Sequence, residues 1–547
     1  MRSTMMEAPL TIAGIMRYGT TVFGGREVVT WTGDGARRQT YAQTGARAAR
    51  LANALRTLGV DGDQRVATLL WNNAEHLEAY LGVPSMGAVL HTLNLRLDPG
   101  QLGYIANHAA DHVIICDATL IPLLAQVLPL TETVRHVVVT GPGGEALAGH
   151  AEKLAHPGVE VHSYADLLAG ASETFGWPDL DERSAAAMCY TSGTTGLPKG
   201  VVYSHRSAYL HSMGVCMGNS LGMSERDRVL PVVPMFHANA WGLAYAAVMS
   251  GADLIMPDRF LQPEPLARLI ATERPTLAGA VPTIWNGLLQ HVRAHGGDLS
   301  SLRMVPCGGS AVPRALMEAF EKELGVLIVQ AWGMTETSPI GSVAHPPPGT
   351  SGEEAWRYRD TQGRLVCTVE GRLVGDNGTV LPHDGKAVGE VQVRGPWVTG
   401  AYYKDDDPGK FDDGWLRTGD VGTIDLLGFV TLTDRAKDVI KSGGEWISSM
   451  ELENAIMAHP DVLEAAVIGV PDDKWGERPL ATVVLREGAS ASASDLRDFL
   501  AGQLPRWQLP ERWCFIAEVP KTGVGKFAKT RMREAYAQGD YQVIEVG

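Results

Sequence analysis

The stretch Tyr190-Thr-Ser-Gly-Thr-Thr-Gly-Leu-Pro-Lys-Gly200 decides how the rest of the chain is read. Gly193, Gly196 and Gly200 can take positive-φ conformations that turn successive backbone N–H groups inward. Thr191, Ser192, Thr194 and Thr195 add hydroxyls, and Lys199 adds fixed positive charge. Such a surface suits phosphate oxygens. It is not a Walker loop, because Lys199 is followed by Gly200 where that loop needs Ser or Thr, so a P-loop NTPase is disfavoured.

At 547 residues the chain is long enough to bury cores in at least two domains. With 45% hydrophobic and 20% charged residues it has the composition of a soluble globular enzyme. A net charge of -15 argues against nucleic acid as a partner, so any bound polyphosphate needs local positive charge. Cys116, Cys189, Cys216, Cys307, Cys367 and Cys514 show no Cys-x-x-Cys spacing, which indicates neither a zinc site nor a disulfide framework. A reducing cytoplasm fits, and residues Met1 to Leu10 lack the apolar core of a signal peptide. Between Arg228 and Asp253 no charge occurs, yet Pro231, Pro234, His237 and Asn239 spoil a membrane span. A strand, a turn and a buried helix lining a pocket are expected there, and no integral membrane segment.

Outward from the loop, α/β wiring is expected in Tyr41 to Asp117. A helix through Leu51, Leu55 and Leu58 precedes a strand Arg65 to Leu70 and a helix carrying Leu77, Tyr80 and Leu81. Then come a strand Val89 to Leu93, a helix after Asp98-Pro99 and a strand Val113 to Cys116. Two sheets with helices packed on them are predicted. After about residue 370, runs such as Gly389 to Arg394 and Gly428 to Thr433 indicate a small β-rich subdomain. The last segment reads as a helix Met450 to Met457, strands Ala465 to Val470 and Leu480 to Leu485, a helix Ala493 to Leu500 and a strand Trp513 to Ile516. That is a compact α+β domain.

The loop at Tyr190 to Gly200 resembles the signature of the adenylate-forming superfamily of acyl-CoA synthetases, peptide-synthetase adenylation domains and beetle luciferases. The resemblance runs from about Tyr41 to Lys529. It implies an adenylate-forming α/β domain over 1–435 and a mobile C-terminal lid over 436–547. It also implies ATP, Mg²⁺ and coenzyme A as the small molecules involved. In such chemistry a carboxylate attacks the α-phosphate of ATP to give an acyl-adenylate and pyrophosphate, and a thiol then displaces AMP.

Gln330-Ala-Trp-Gly-Met-Thr-Glu-Thr337 is similar to the superfamily's second signature. Its aromatic residue, here Trp332 where many relatives have tyrosine, is expected against adenine. Gln330, Ala331, Gly333, Met334 and Thr335 are expected around the nucleotide, with Glu336 and Thr191 as Mg²⁺ ligands. Gly308-Gly-Ser-Ala311 resembles the wall for adenine and the acyl carbonyl, with Gly308 and Gly333 toward the acyl group and Gly309 and Ser310 toward the nucleotide. Asp420, in Arg417-Thr-Gly-Asp420, is expected on the ribose hydroxyls, and Arg435 on ribose or phosphate. Lys526, in Pro520-Lys-Thr-Gly-Val-Gly-Lys526, matches the catalytic lysine of adenylation. Lys441-Ser442-Gly443-Gly444-Glu445-Trp446 matches the segment bordering the thioester channel, and Lys437 the hinge between the two arrangements.

In Pro234-Met-Phe-His-Ala-Asn-Ala-Trp241, His237 matches the superfamily's position beside the acyl group, and Trp241 resembles an aromatic gate. It is most similar to medium- and long-chain fatty acyl-CoA synthetases. Ala238, Gly242 and Ala246 recur at helical spacing and would leave a smooth face. The substrate expected is a small-molecule carboxylic acid without a second charge. Two other classes compete: an adenylating enzyme with another acceptor or acid, such as a carrier-protein thiol or nitrite for diazotisation, and a serine hydrolase using Ser220 in Gly218-Asn-Ser-Leu-Gly222. The hydrolase motif needs a strand before it, whereas a helix His205 to Met217 is expected there. A homodimer is left open.

Overall fold

The computed structural model describes residues 1–141, 147–191, 197–375, 377–405, 408–435, 438–442, 445–522 and 527–546. The described residues form four β-sheets with helices packed on them. One is seven-stranded, ordered Glu160–Ser163, His136–Thr140, Asp111–Asp117, Arg65–Leu69, Val89–Thr92, Ala185–Tyr190, Gly200–Ser204. Its ladders are parallel except the last, where Ala185–Tyr190 and Gly200–Ser204 run antiparallel and flank the phosphate-loop sequence. Strands such as His136–Thr140 are apolar nearly throughout because helices cover such sheets.

A five-stranded sheet carries Leu277–Gly279, Arg228–Pro231, Asp253–Met256, Glu27–Trp31 and Ala36–Thr40. The helix Ala74–Ser85 is buried at every position, because it contacts strands of both sheets. Its two glutamates survive burial by pairing outward: Glu75 with Arg37 at 2.8 Å and Glu78 with Arg47 at 2.6 Å.

The β-rich segment after residue 370 is not separate. Its strands continue a ten-stranded sheet that begins at Val305–Cys307 and Ile328–Gly333, so the second signature sits on the same sheet as Trp415–Ile424 and Phe429–Arg435. The C-terminal six-stranded sheet, with helices Ser449–Met457, Ala493–Ala501 and Lys529–Gln538, agrees with the α+β reading.

The uncharged stretch after Arg228 forms the strand Arg228–Pro231, a tight turn and the buried helix Leu243–Ser250. Among the described residues no helix is long and apolar enough to cross a membrane. The smooth helical face expected from Ala238, Gly242 and Ala246 does not exist. The helix starts at Leu243, and Ala238, Asn239, Ala240, Trp241 and Gly242 all have positive φ, from 41° to 72°. They form a left-handed turn, which side-chain spacing cannot reveal.

Candidate active site

A cavity of about 640 Å³ collects most of the predicted positions that fall among the described residues. One wall comes from the end of strand Ile328–Gly333 and the turn beyond it: Ala331, Trp332, Gly333, Met334, Thr335 and Glu336. Gly308, Gly309 and Ser310 line it from the neighbouring strand end, Thr191 and Lys199 from the phosphate-loop flanks, Trp241 from the left-handed turn and His237 from the residue just before it.

Trp332 is almost fully buried, and its indole N–H donates to Asp420 Oδ2 at 2.8 Å. The ring is seated on Gly341, where a Cβ would collide with it. The sequence allowed an indole in place of tyrosine for its stacking face. The structure gives the indole a second role, since a phenol has no donor at that place on the ring. Asp420 stands opposite Arg435 in the antiparallel ladder, so the two residues expected on the ribose are backbone neighbours.

Glu336 is buried, and its Oε1 accepts from Tyr402 Oη at 2.6 Å, while its carbonyl accepts from Thr399 N–H at 2.8 Å. Lys199 Nζ lies 4.9 Å from the Tyr402 ring centroid and 3.0 Å from Asp405 Oδ2. Its own N–H donates to Thr191 Oγ at 3.2 Å. The metal-ligand candidates Glu336 and Thr191 thus line the same cavity as the loop's lysine. Tyr402 and Asp405 escaped the sequence reading. Tyr402 belongs to no motif; the acidic run Asp405-Asp-Asp407 was the available signal for a cation partner.

The left-handed turn is costly, since each non-glycine residue in that region loses about 1 kcal/mol or more. It is braced from behind. Gly242 tolerates no Cβ because His211 fills that space, and His211 Nε2 accepts from Ile340 N–H at 3.1 Å. Burial pushes His211 down to about 3, so the ring is a neutral acceptor. Asn239 Oδ1 accepts from the Cys189 thiol at 3.2 Å. The turn aims His237 and the half-buried Trp241 at the cavity, facing Pro306, Gly308 and Gly333.

The C-terminal domain closes the remaining side. Thr522 and Phe527, which flank the segment carrying Lys526, both line the cavity. Asp434 Oδ2 accepts from Ser449 N–H at 2.7 Å across the domain junction, and buried Lys529 pairs with Glu453 at 2.7 Å. Burial opposes the charge on Lys529, but Glu453, Asp434 and Asp438 prevail and hold its pKa above the ordinary lysine value.

Some predicted positions lie elsewhere. Gln330 is not in the lining: its Oε1 accepts from Val312 N–H at 2.7 Å and its Nε2 donates to Thr361 O at 2.6 Å, so its amide holds the wall from behind. Lys441 and Ser442 sit on a hairpin outside the cavity, with Ser442 Oγ accepting from Arg478 at 3.2 Å. Ser192, Gly193, Thr194, Thr195, Gly196, Lys437, Gly443, Gly444 and Lys526, and the side chains of Arg435, Glu445 and Trp446, lie outside the described residues. Ser220 follows the helix His205–Cys216, and its buried hydroxyl has no hydrogen-bonding partner among the described residues, so none of them is placed as a base to activate it.

The AMP-binding enzyme family matches residues 19–403, and the AMP-binding enzyme C-terminal domain matches residues 451–526. The chain belongs to the AMP-binding enzyme family. This AMP-binding enzyme is 44% identical to a 3-methylmercaptopropionyl-CoA ligase of Ruegeria pomeroyi over 98% of its length and 99% of that protein's. It is also 44% identical to a long-chain-fatty-acid–CoA ligase of Thermus thermophilus, over 98% of this chain and 97% of that one. Among solved structures it resembles an anthranilate CoA ligase in complex with anthranoyl-AMP, with a TM-score of 0.87, 27% identity and coverage of 98% and 99%.

Proposed function

We propose that this AMP-binding enzyme is an ATP-dependent acyl-CoA ligase. It adenylates an apolar carboxylic acid, releasing pyrophosphate, and passes the acyl group to coenzyme A. The observation that carries this reading is one cavity lined by Trp332, Glu336, Thr191, Lys199, His237, Trp241 and both flanks of the Lys526 segment.

Trp332 and Asp420 take the adenosine, the indole covering the base while its N–H fixes the carboxylate that meets the ribose. Gly308, Gly309 and Ser310 bound the base and the acyl carbonyl. Thr191 to Gly196, with Lys199, cradle the phosphates. The carboxylate oxygen of the acid attacks the α-phosphorus, the bond to the β-phosphate oxygen breaks, and Lys526 meets the charge that develops on the α-phosphate. Glu336 and Thr191 offer a carboxylate and a hydroxyl to Mg²⁺, a donor set that suits this hard cation, which would supply charge neutralisation of the phosphates. His237 and Trp241 position the acid.

The second step needs the thiol to reach the acyl carbonyl. The segment Lys441 to Trp446, whose Lys441 and Ser442 lie outside the cavity, is suited to border that route once the C-terminal domain, residues 436–547, rotates about Lys437. Free cysteines throughout the described residues accord with a cytoplasmic setting.

The apolar lining near Trp241 favours an acid without a second charge, but the two relatives at 44% identity are named for a short thioether acyl group and a long chain. A pyrophosphate-release screen over short, medium, long and aromatic acids, with and without coenzyme A, tests the reading. Turnover that requires an apolar acid and yields an acyl-CoA is expected. Turnover indifferent to coenzyme A, with a carrier-protein thiol or nitrite consumed instead, would refute it.

A further inference from the structure

At the edge of the seven-stranded sheet, remote in sequence from every catalytic motif, stands a group of side chains the reaction does not use. The strand Glu160–Ser163 is the sheet's edge and pairs with His136–Thr140 in parallel register, His136 opposite Glu160 and Val138 opposite His162. Residues two apart on a strand share a face, so His136, Glu160 and His162 project to the same side. His136 Nδ1 and His162 Nε2 are 3.2 Å apart, and Glu160 Oε2 lies 3.8 Å from the first and 3.7 Å from the second.

We propose that His136, His162 and Glu160 form a binding site for a borderline divalent transition cation of the zinc class, which clips the edge strand to its neighbour. Two nitrogens each about 2.05 Å from a tetrahedral metal are about 3.3 Å from one another, and a nitrogen and a carboxylate oxygen about 3.4 Å. The apposed nitrogens therefore already have the required separation. Glu160 needs to close by only a few tenths of an ångström, and it is the most exposed of the three, its side chain 71% accessible.

Two imidazole nitrogens at this distance can share a proton or share a cation. Two observations favour the cation. The carboxylate reaches both nitrogens, which a simple N–H···N bond does not call for. The two rings are mostly buried, their side chains only 16% and 19% exposed, so water has little access to the apposed nitrogens. Mixed nitrogen and carboxylate donors suit Zn²⁺ and Co²⁺ better than Mg²⁺, whose preference is for oxygen.

The test uses the whole protein, stripped with a chelator and titrated with Co²⁺, whose visible ligand-field absorption reports a four-coordinate site, followed by displacement with Zn²⁺. One equivalent should bind and raise the thermal midpoint. Glu160→Gln, at an exposed position, should weaken Co²⁺ by at least about tenfold. His136→Gln with His162→Gln should abolish both the absorption and the thermal shift. A second histidine pair, His291 and His295, stacks at 4.7 Å on the helix Pro282–His295, and His295→Gln should leave binding unchanged. No Co²⁺ absorption in the wild type, unaltered affinity in Glu160→Gln or in the double variant, or loss of binding in His295→Gln would each overturn the proposal.

Discussion

Trp332→Phe isolates the hydrogen bond that joins the aromatic residue proposed to meet the nucleotide to the carboxylate proposed to meet the ribose. Phenylalanine keeps a ring over Gly341 and removes the N–H that donates to Asp420 Oδ2 at 2.8 Å. Both partners are buried, Trp332 at 8% and Asp420 at 3% exposure, so water cannot fully replace the donor. A hydrogen bond to a charged group contributes about 1.5–3 kcal/mol net. At about 1.36 kcal/mol per factor of ten, that is roughly 10-fold to 150-fold if all of it were expressed in nucleotide binding. The fold around Asp420 supplies other support, including the backbone ladder to Arg435, so the lower end is expected. We predict that kcat/KM for ATP falls about tenfold while the KM for the acid at saturating ATP stays within about twofold. The assay is pyrophosphate release with each substrate varied in turn, beside a thermal melt to confirm folding. An unchanged kcat/KM for ATP would refute the role assigned to the indole N–H.

Glu336→Gln should lower adenylate formation by at least about 10²-fold, with the deficit largest at limiting Mg²⁺; undiminished pyrophosphate release there would remove the carboxylate from the metal site. Lys526→Ala should nearly abolish acyl-adenylate formation yet still convert synthetic acyl-adenylate and coenzyme A to thioester. Equal failure in both assays would contradict the separation of the two steps. Trp241→Ala should shift kcat/KM toward bulkier or longer acids by roughly 1 to 3 kcal/mol while ATP kinetics hold. An unaltered acid profile would make this indole a packing residue of the left-handed turn.

Local signals carried the fold well where they were backed by chain chemistry. Asp98-Pro99 marked a helix start, and in the structure Asp98 caps Pro99–Ala109 by accepting from Gln101 N–H at 3.0 Å. The uncharged run after Arg228 was readable as strand, turn and helix because its prolines and polar residues are incompatible with a span. Handedness was not readable. Ala238, Gly242 and Ala246 have helical spacing, but spacing is blind to the sign of φ, and only the filling of space behind Gly242 by His211 explains the turn. Long-range pairs were equally hidden: Trp332 with Asp420, and Glu336 with Tyr402, are separated by 88 and 66 residues. Gln330 shows another hidden pairing: it opens the second signature, yet its amide is engaged with the backbone of Val312 and Thr361.

The central claim, that the acid is activated as an adenylate before a thiol takes it, makes a prediction about a single oxygen atom. An apolar acid labelled with ¹⁸O in both carboxylate oxygens should be incubated with ATP, Mg²⁺, coenzyme A and the enzyme, and the products analysed by mass spectrometry. Attack of the carboxylate on the α-phosphorus leaves one labelled oxygen bridging acyl and phosphate, and displacement by the thiol then carries it away with AMP. The account predicts AMP with one ¹⁸O, unlabelled pyrophosphate and an acyl-CoA retaining the other ¹⁸O. Unlabelled AMP beside labelled inorganic phosphate, or thioester formed without AMP, would contradict it.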